Sequence, residues 1–131
     1  MKSITFKPQM IDAIRAGRKT QTRRIKKGDK PRYKVGESLT LKASRFSRNG
    51  FGQIQIGGVR SERLQDITNA DAYAEGIMCT VTVGEYRKGL DAHGCDWLKF
   101  AFRQLWDSIH GDGAWNLNPE VWVYEFEVVG R

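Results

Sequence analysis

Val121-Trp122-Val123-Tyr124-Glu125-Phe126-Glu127-Val128 places Trp122, Tyr124, Phe126 and Val128 at every second position, with Glu125 and Glu127 between them. Successive side chains of an extended chain point to opposite faces, so this order predicts a major β-strand with one face turned to a core. The same alternation recurs upstream. Leu39 and Leu41 alternate with polar residues over Ser38 to Ala43, and Ile54 and Ile56 do so over Gln53 to Ile56. Asn49-Gly50 supplies a hairpin turn between them. A further extended stretch is expected from Val59 to Leu64, and a short first strand from Ser3 to Phe6.

Helices are signalled by different means. Pro8 stands where proline is tolerated at the opening of a helix, Met10, Ile11 and Ile14 fall on one face, and Gly17 stands where a helix usually ends. Thr68 with Asp71 three residues on resembles a capping box for a short helix ending at Gly76. Asp96 begins the clearest helix, in which Leu98, Phe102, Leu105, Trp106 and Ile109 recur at helical spacing and read as core. Between the first helix and a loop of charge and turn-formers at 27–31, Lys19 to Ile25 holds three β-branched residues and reads as a nearly all-polar strand. Thr80-Val81-Thr82-Val83 has strand character, and Gly84 to Cys95 reads as an irregular loop. Short spacings between mostly extended segments predict an α+β chain: a small, mostly antiparallel β-barrel with flanking helices, residues 1–131 forming a single domain without internal repeats.

The chain has 131 residues, 40% of them hydrophobic, enough for one core. No apolar run approaches the roughly 20 residues that span a bilayer, and Met1-Lys2-Ser3-Ile4 lacks a secretory apolar stretch, which predicts a cytoplasmic protein with no membrane partner. Cys79 and Cys95 are accordingly expected as free thiols. The net charge of +7 is unevenly placed. Residues 1–34 hold twelve of the 22 Lys and Arg against Asp12 and Asp29, whereas residues 35–131 carry a net −3. A concentrated positive face is what a polyanion selects, although a solvated basic surface serves solubility alone.

Motif spacing removes several chemistries. Gly17-Arg18-Lys19-Thr20 lacks the paired glycines of a phosphate-binding loop. The spacings of structural zinc are missing around Cys79, His93 and Cys95, so no metal or other cofactor is expected. Two histidines give no support to a Ser-His-Asp set, and Asp66, Asp71 and Glu75 are the only carboxylate grouping to offer a metal-dependent nuclease.

The run Ala16-Gly17-Arg18-Lys19-Thr20-Gln21-Thr22-Arg23-Arg24, then Gly36-Glu37-Ser38-Leu39, Arg63-Leu64-Gln65-Asp66-Ile67-Thr68 leading to Ala74-Glu75-Gly76, Trp106-Asp107-Ser108-Ile109, and Asn118-Pro119-Glu120-Val121-Trp122-Val123 together resemble the ASCH domain family, most closely its bacterial and phage-encoded members. The resemblance spans nearly the whole chain. It implies a PUA-like β-barrel related to RNA-binding domains, with RNA or a modified nucleoside as partner. Some small bacterial members are amidohydrolases that remove the acetyl group of N4-acetylcytidine with a Lys, Thr and Glu triad, which the resemblance puts on Lys19, Thr22 and Glu75. Arg24 matches an arginine lining that pocket, and Arg18, Arg23 and Thr20 are the further substrate-binding candidates.

That chemistry is physically coherent. Threonine attacks an amide only when a base takes its proton, and a lysine is such a base only when its ammonium is destabilised. Burial beside Arg18, Arg23 and Arg24 is expected to lower the Lys19 pKa. Glu75 would orient Lys19 or activate water, and Arg24 would meet the developing oxyanion. In a regular strand, residues three apart point to opposite faces, so Lys19 and Thr22 meet only if the chain bends after Gly17. Two other readings stay open: a basic strand edge gripping phosphates, with Trp97 and Trp115 exposed for base stacking, and a ribonuclease.

Overall fold

The computed structural model describes residues 2–44, 50–77 and 96–130. The alternating segment at the C-terminal end is strand β5, Glu120–Gly130, and the sheet is built around it. Four further strands precede it: β1, Ser3–Thr5; β2, Gln21–Ile25; β3, Ser38–Lys42; and β4, Gln53–Arg63. β5 pairs antiparallel with β4 on one side and with β2 on the other, β3 pairs antiparallel with β4, and β1 runs parallel to β3. The resulting order is β1-β3-β4-β5-β2.

Two expectations change here. Gln53 to Ile56 and Val59 to Leu64 are not separate stretches but one eleven-residue strand. The ladder shifts register between Ile56 and Gly58, so the glycines that looked like a break form a β-bulge instead. The expected closed, mostly antiparallel barrel is a mixed sheet that stays open, since β1 and β2 lie at opposite ends of the strand order with no ladder between them. A side chain spans that opening: Arg24 on β2 donates from Nη2 to the Thr5 carbonyl on β1 at 2.8 Å. The sheet therefore curls until its two edges face each other, and the fold is α+β.

Both faces of β5 are used. Tyr124 and Phe126 pack with Ile4, Phe6, Ile11, Ile14, Leu39, Leu41, Ile54 and Ile56 in a first core. Val121 and Val123, on the other face, join a second core with Leu64, Ile67, Ala72, Leu98, Phe102, Trp106 and Trp115. Trp115 is thus buried, not exposed for stacking, because the 3-10 turn Ala114–Leu117 folds it edge-on against Phe102, with 6.4 Å between ring centroids.

Three helices flank the sheet among the described residues. Helix α1, Pro8–Arg15, has proline in its first turn and buries Ile11 and Ile14. Helix α2, Asn69–Ala74, is capped by Thr68, whose side chain accepts from the Asp71 amide, and Gly76 beyond its end has φ +90°. Helix α3, Asp96–His110, buries Leu98, Phe102 and Trp106 at i, i+4 spacing. Ile109, expected in the core, is 46% exposed and belongs to neither core cluster. None of these helices is long and apolar enough to cross a membrane. The Asn49 turn residue, the Thr80 to Val83 and Gly84 to Cys95 readings, both cysteines and the Trp97 side chain fall outside the described residues.

The cap on α2 gives a direct check. Thr68→Ala removes the acceptor for the Asp71 amide and is expected to lower unfolding free energy by ~1 kcal/mol, while Thr68→Ser stays within a few tenths of the parent. Urea denaturation of the two variants measures the difference.

Candidate active site

The site begins where α1 ends. Gly17 takes φ +81°, and the amides of Arg18 and Lys19 both donate to the Ala13 carbonyl, turning the chain sharply before any strand starts. The Thr20 amide then donates to Ala74 at the end of α2, and its carbonyl accepts from Phe126 of β5. Regular pairing starts at Gln21, so Lys19 precedes the strand and is not bound by its two-residue alternation. This bend is the one that the sequence required if Lys19 and Thr22 were to share a site.

Lys19 is buried, and its Nζ donates three hydrogen bonds: to the Gln21 carbonyl, the Glu75 carbonyl and Glu75 Oε2, each at 2.9 Å. An ammonium has three protons, and all three are taken. Burial pulls the Lys19 pKa below the ordinary 10.5; Glu75 acts in the opposite direction, and Arg24 and Arg23 lower it further. Arg18, expected to share in this effect, is exposed and takes no part.

Glu75 is held from its other oxygen. Arg23 Nη1 lies 3.4 Å from Glu75 Oε1, while its Nη2 reaches Glu62 at 2.6 Å and Asp71 at 3.2 Å, and Nη1 also donates to Gln21 Oε1. The Arg23 side chain is 0% exposed. It therefore positions Glu75, and it also lines the cavity described next, whereas Arg18 is exposed and does not line it. Thr20 is engaged through its backbone on both sides, and its side chain is exposed, outside that cavity.

In an antiparallel ladder, directly paired residues share a face. Thr22 pairs with Tyr124 and Arg24 with Trp122, so both project from the face of the first core, at the open edge of the sheet. There they meet a cavity of about 170 Å³, lined by Lys19, Thr22, Arg23, Arg24 and Glu75 and walled by Phe6 and Met10 from one core, by Phe102, Leu105 and Trp106 from the other, and by the exposed Ile109. Arg24 donates to the Thr5 carbonyl and lies 4.8 Å from the Phe6 ring centroid, and its other guanidinium donors make no hydrogen bond among the described residues. No hydrogen bond engages the Thr22 hydroxyl among the described residues. A space of this size is close to the ~150 Å³ that one benzene-sized ring fills. It is the size of one flat ring and smaller than a whole nucleotide.

Three features escaped the sequence reading. The cavity wall from α3 had been assigned wholly to the core, although Leu105 and Ile109 flank the buried stripe and open onto the cavity. His110 was not considered, yet it lines the cavity, lies 4.1 Å from the Trp106 ring between centroids, and is made less basic by burial and then by Arg24. Its position four residues after Trp106 was the available signal. The set of carboxylates around Arg23 is not legible in the sequence either: Asp71 and Glu75 stand together on α2 and at its C-terminal cap, but Glu62 comes from β4 and Asp66, grouped with them by sequence, is not among the ion-pair partners of Arg23. Among the described residues no cluster of three or more His, Cys, Asp or Glu side chains is arranged to hold a metal ion.

The overall fold is shared with solved structures. The ASCH domain of Lactobacillus crispatus JV V101 superposes with a TM-score of 0.57 at 14% identity, over 94% of this chain and 72% of that one. Protein EF3133 of Enterococcus faecalis V583, assigned to DUF984, gives 0.62 at 15% identity over 93% and 68%. The hypothetical protein PH0355 gives 0.55 at 18% identity, over 98% of this chain and 100% of that one. No protein-family model and no curated protein matches the sequence. The fold is ASCH-like, and at these identities the likeness carries the fold alone.

The ion network makes an asymmetric prediction. Glu75→Ala leaves Lys19 and Arg23 facing each other without their shared carboxylate and is expected to lose ~3–5 kcal/mol of stability. Lys19→Met keeps the buried volume and leaves Glu75 on Arg23, so its loss is smaller. Equal losses in denaturant unfolding would show that Glu75 does not bridge the two cations.

Proposed function

We propose that this chain is a PUA-like ASCH domain that acts on a modified nucleoside or on RNA, and that it hydrolyses the N4-acetyl amide of acetylated cytidine. The carrying observation is that Lys19, Thr22, Arg24 and Glu75 line one ring-sized cavity with apolar walls. A cytosine ring suits the walls, and its acyl group suits the polar lining.

The chain's own groups supply each step. Neutral Lys19 takes the proton of Thr22 Oγ1 as that oxygen bonds to the acetyl carbonyl carbon. Arg24 donates to the oxygen that gains negative charge. The C–N4 bond breaks, N4 takes the proton from Lys19, and cytidine leaves. Water, deprotonated by Lys19 or Glu75, then attacks the Thr22 ester and releases acetate, while Thr22 recovers its proton.

The three hydrogen bonds from Lys19 set the condition for this sequence. A neutral amine keeps two protons, so one acceptor must be given up before the nitrogen lone pair can turn to Thr22. The same three bonds favour a second reading, in which Lys19 is a permanently charged strut and the domain binds RNA without chemistry.

Incubation with N4-acetylcytidine, with acetate and cytidine resolved by chromatography, separates the two. Hydrolysis is expected from the parent protein and is expected to fall by at least ~10²-fold in Lys19→Ala and in Thr22→Val. Unchanged acetylcytidine with the folded parent protein contradicts the hydrolase reading.

A further inference from the structure

The cavity takes a ring but leaves the rest of a nucleotide outside, and what lies outside is not neutral surface. A second depression of about 590 Å³ adjoins it, and Arg24 and His110 line both. This groove runs between β2 and the loop at 26–37, under Lys27, Lys30 and Arg32. All three are exposed, and none forms an ion pair among the described residues.

Neighbouring cations behave differently. Lys26 pairs with Glu120 at 3.4 Å and lies over the Trp122 ring, and Lys2 pairs with Glu37 at 3.4 Å. Among the described residues the three groove cations, like Lys7 and Arg24 at the cavity itself, have no counter-charge in an ion pair. Asp29, in the same loop, is exposed but does not line the groove. The groove's floor is built from the first core: Tyr124 is buried edge-on against Tyr33 at 5.2 Å, and its hydroxyl oxygen accepts from the Arg32 amide at 3.1 Å. That hydrogen bond ties the backbone carrying Arg32 to β5 beside the cavity.

From this arrangement we infer that the groove is a phosphate-binding subsite, and that the substrate carries at least one phosphate attached to the nucleoside whose base enters the cavity. Three exposed cations without an ion pair among the described residues, one of them, Arg32, lying over the Tyr33 ring, stand next to a ring-sized hole and match an anion tethered to a flat ring. An acidic peptide would satisfy the cations but would have no ring for the cavity. Phosphate reaches the groove either on a mononucleotide or on a strand of RNA, and both sources share the same chemistry. The inference rests on the cavity being a base site, as proposed above, but not on amide hydrolysis taking place there.

The test compares N4-acetylcytidine, its 5′- and 3′-monophosphates, and a short oligoribonucleotide holding one acetylated cytidine. The parent protein is expected to favour at least one phosphorylated form over the nucleoside by about tenfold in kcat/KM, the worth of one charge-assisted hydrogen bond. In a Lys27→Ala, Lys30→Ala, Arg32→Ala triple variant that preference is expected to shrink toward unity. A gain with monophosphates identifies a mononucleotide ligand, and a gain with the oligonucleotide alone identifies a strand; either supports the subsite. For the strand, the slope of log affinity against log salt should also fall by about two units in the variant.

If no acetate appears with any substrate, hydrolysis fails on its own. Calorimetric binding of the same four ligands to the parent and the triple variant then decides the groove. Equal affinity for the nucleoside and all phosphorylated forms, unaltered by the triple substitution, overturns the subsite.

Discussion

An ammonium group enters a protein interior only if every proton it carries finds an acceptor, because the desolvation of an unmatched charge exceeds what one ion pair returns. Lys19 meets that condition with two main-chain carbonyls and one carboxylate, drawn from two distant parts of the chain. Much of the local architecture follows from that need. The turn at Gly17 brings Lys19 off the strand path, the Thr68 cap fixes the helix that ends at Glu75, and Gly76 closes over the lysine stem. A Cβ on Gly76 would sit 3.0 Å from Lys19 Cβ, at a φ of +90° that L-residues rarely adopt, so glycine is required there on two grounds.

The open edge of the sheet is the second condition for a site. Had β2 paired directly with β1, backbone hydrogen bonds would occupy the gap where the cavity lies. Arg24 bridges the two edges with a single donor, and the remaining space is walled by both cores. β5 makes this possible by burying Val121 and Val123 on one face and Tyr124 and Phe126 on the other. Two separate clusters leave a seam, and the seam is where chemistry can be placed without cutting into either. Arg23, held by Glu75 and behind it by Glu62 and Asp71, closes the rear of that seam.

Local signals were readable where local physics controls the outcome. Pro8, Gly17, Thr68 and Gly76 each mark a helix end through a backbone property of their own, and the Leu39/Leu41 and Ile54/Ile56 alternations give the inward faces directly. Long-range pairing was not readable. Gly57-Gly58 looks the same in sequence whether it ends a strand or bulges it, and only pairing with β5 decides the matter. The clean alternation of β5 suggested one buried face because Val121 and Val123 were overshadowed by their aromatic neighbours. Lys19, Thr22, Arg24 and Glu75 were nominated by family resemblance, and their common cavity depends on the Gly17 turn and on α2. The ion pairs that bury Arg23 were not readable, because its three carboxylate partners lie 39 to 52 residues away in sequence.

All of this turns on whether Lys19 is a spent structural charge or an amine held ready to lose its proton. Titration of its side-chain amine by heteronuclear NMR, with the resonance assigned through Lys19→Met, measures that directly. Burial together with Arg24 and Arg23 predicts a midpoint below 10.5, moving upward in Arg24→Gln and downward in Glu75→Gln. A midpoint at or above 10.5 would make Lys19 a strut and contradict its role as a base.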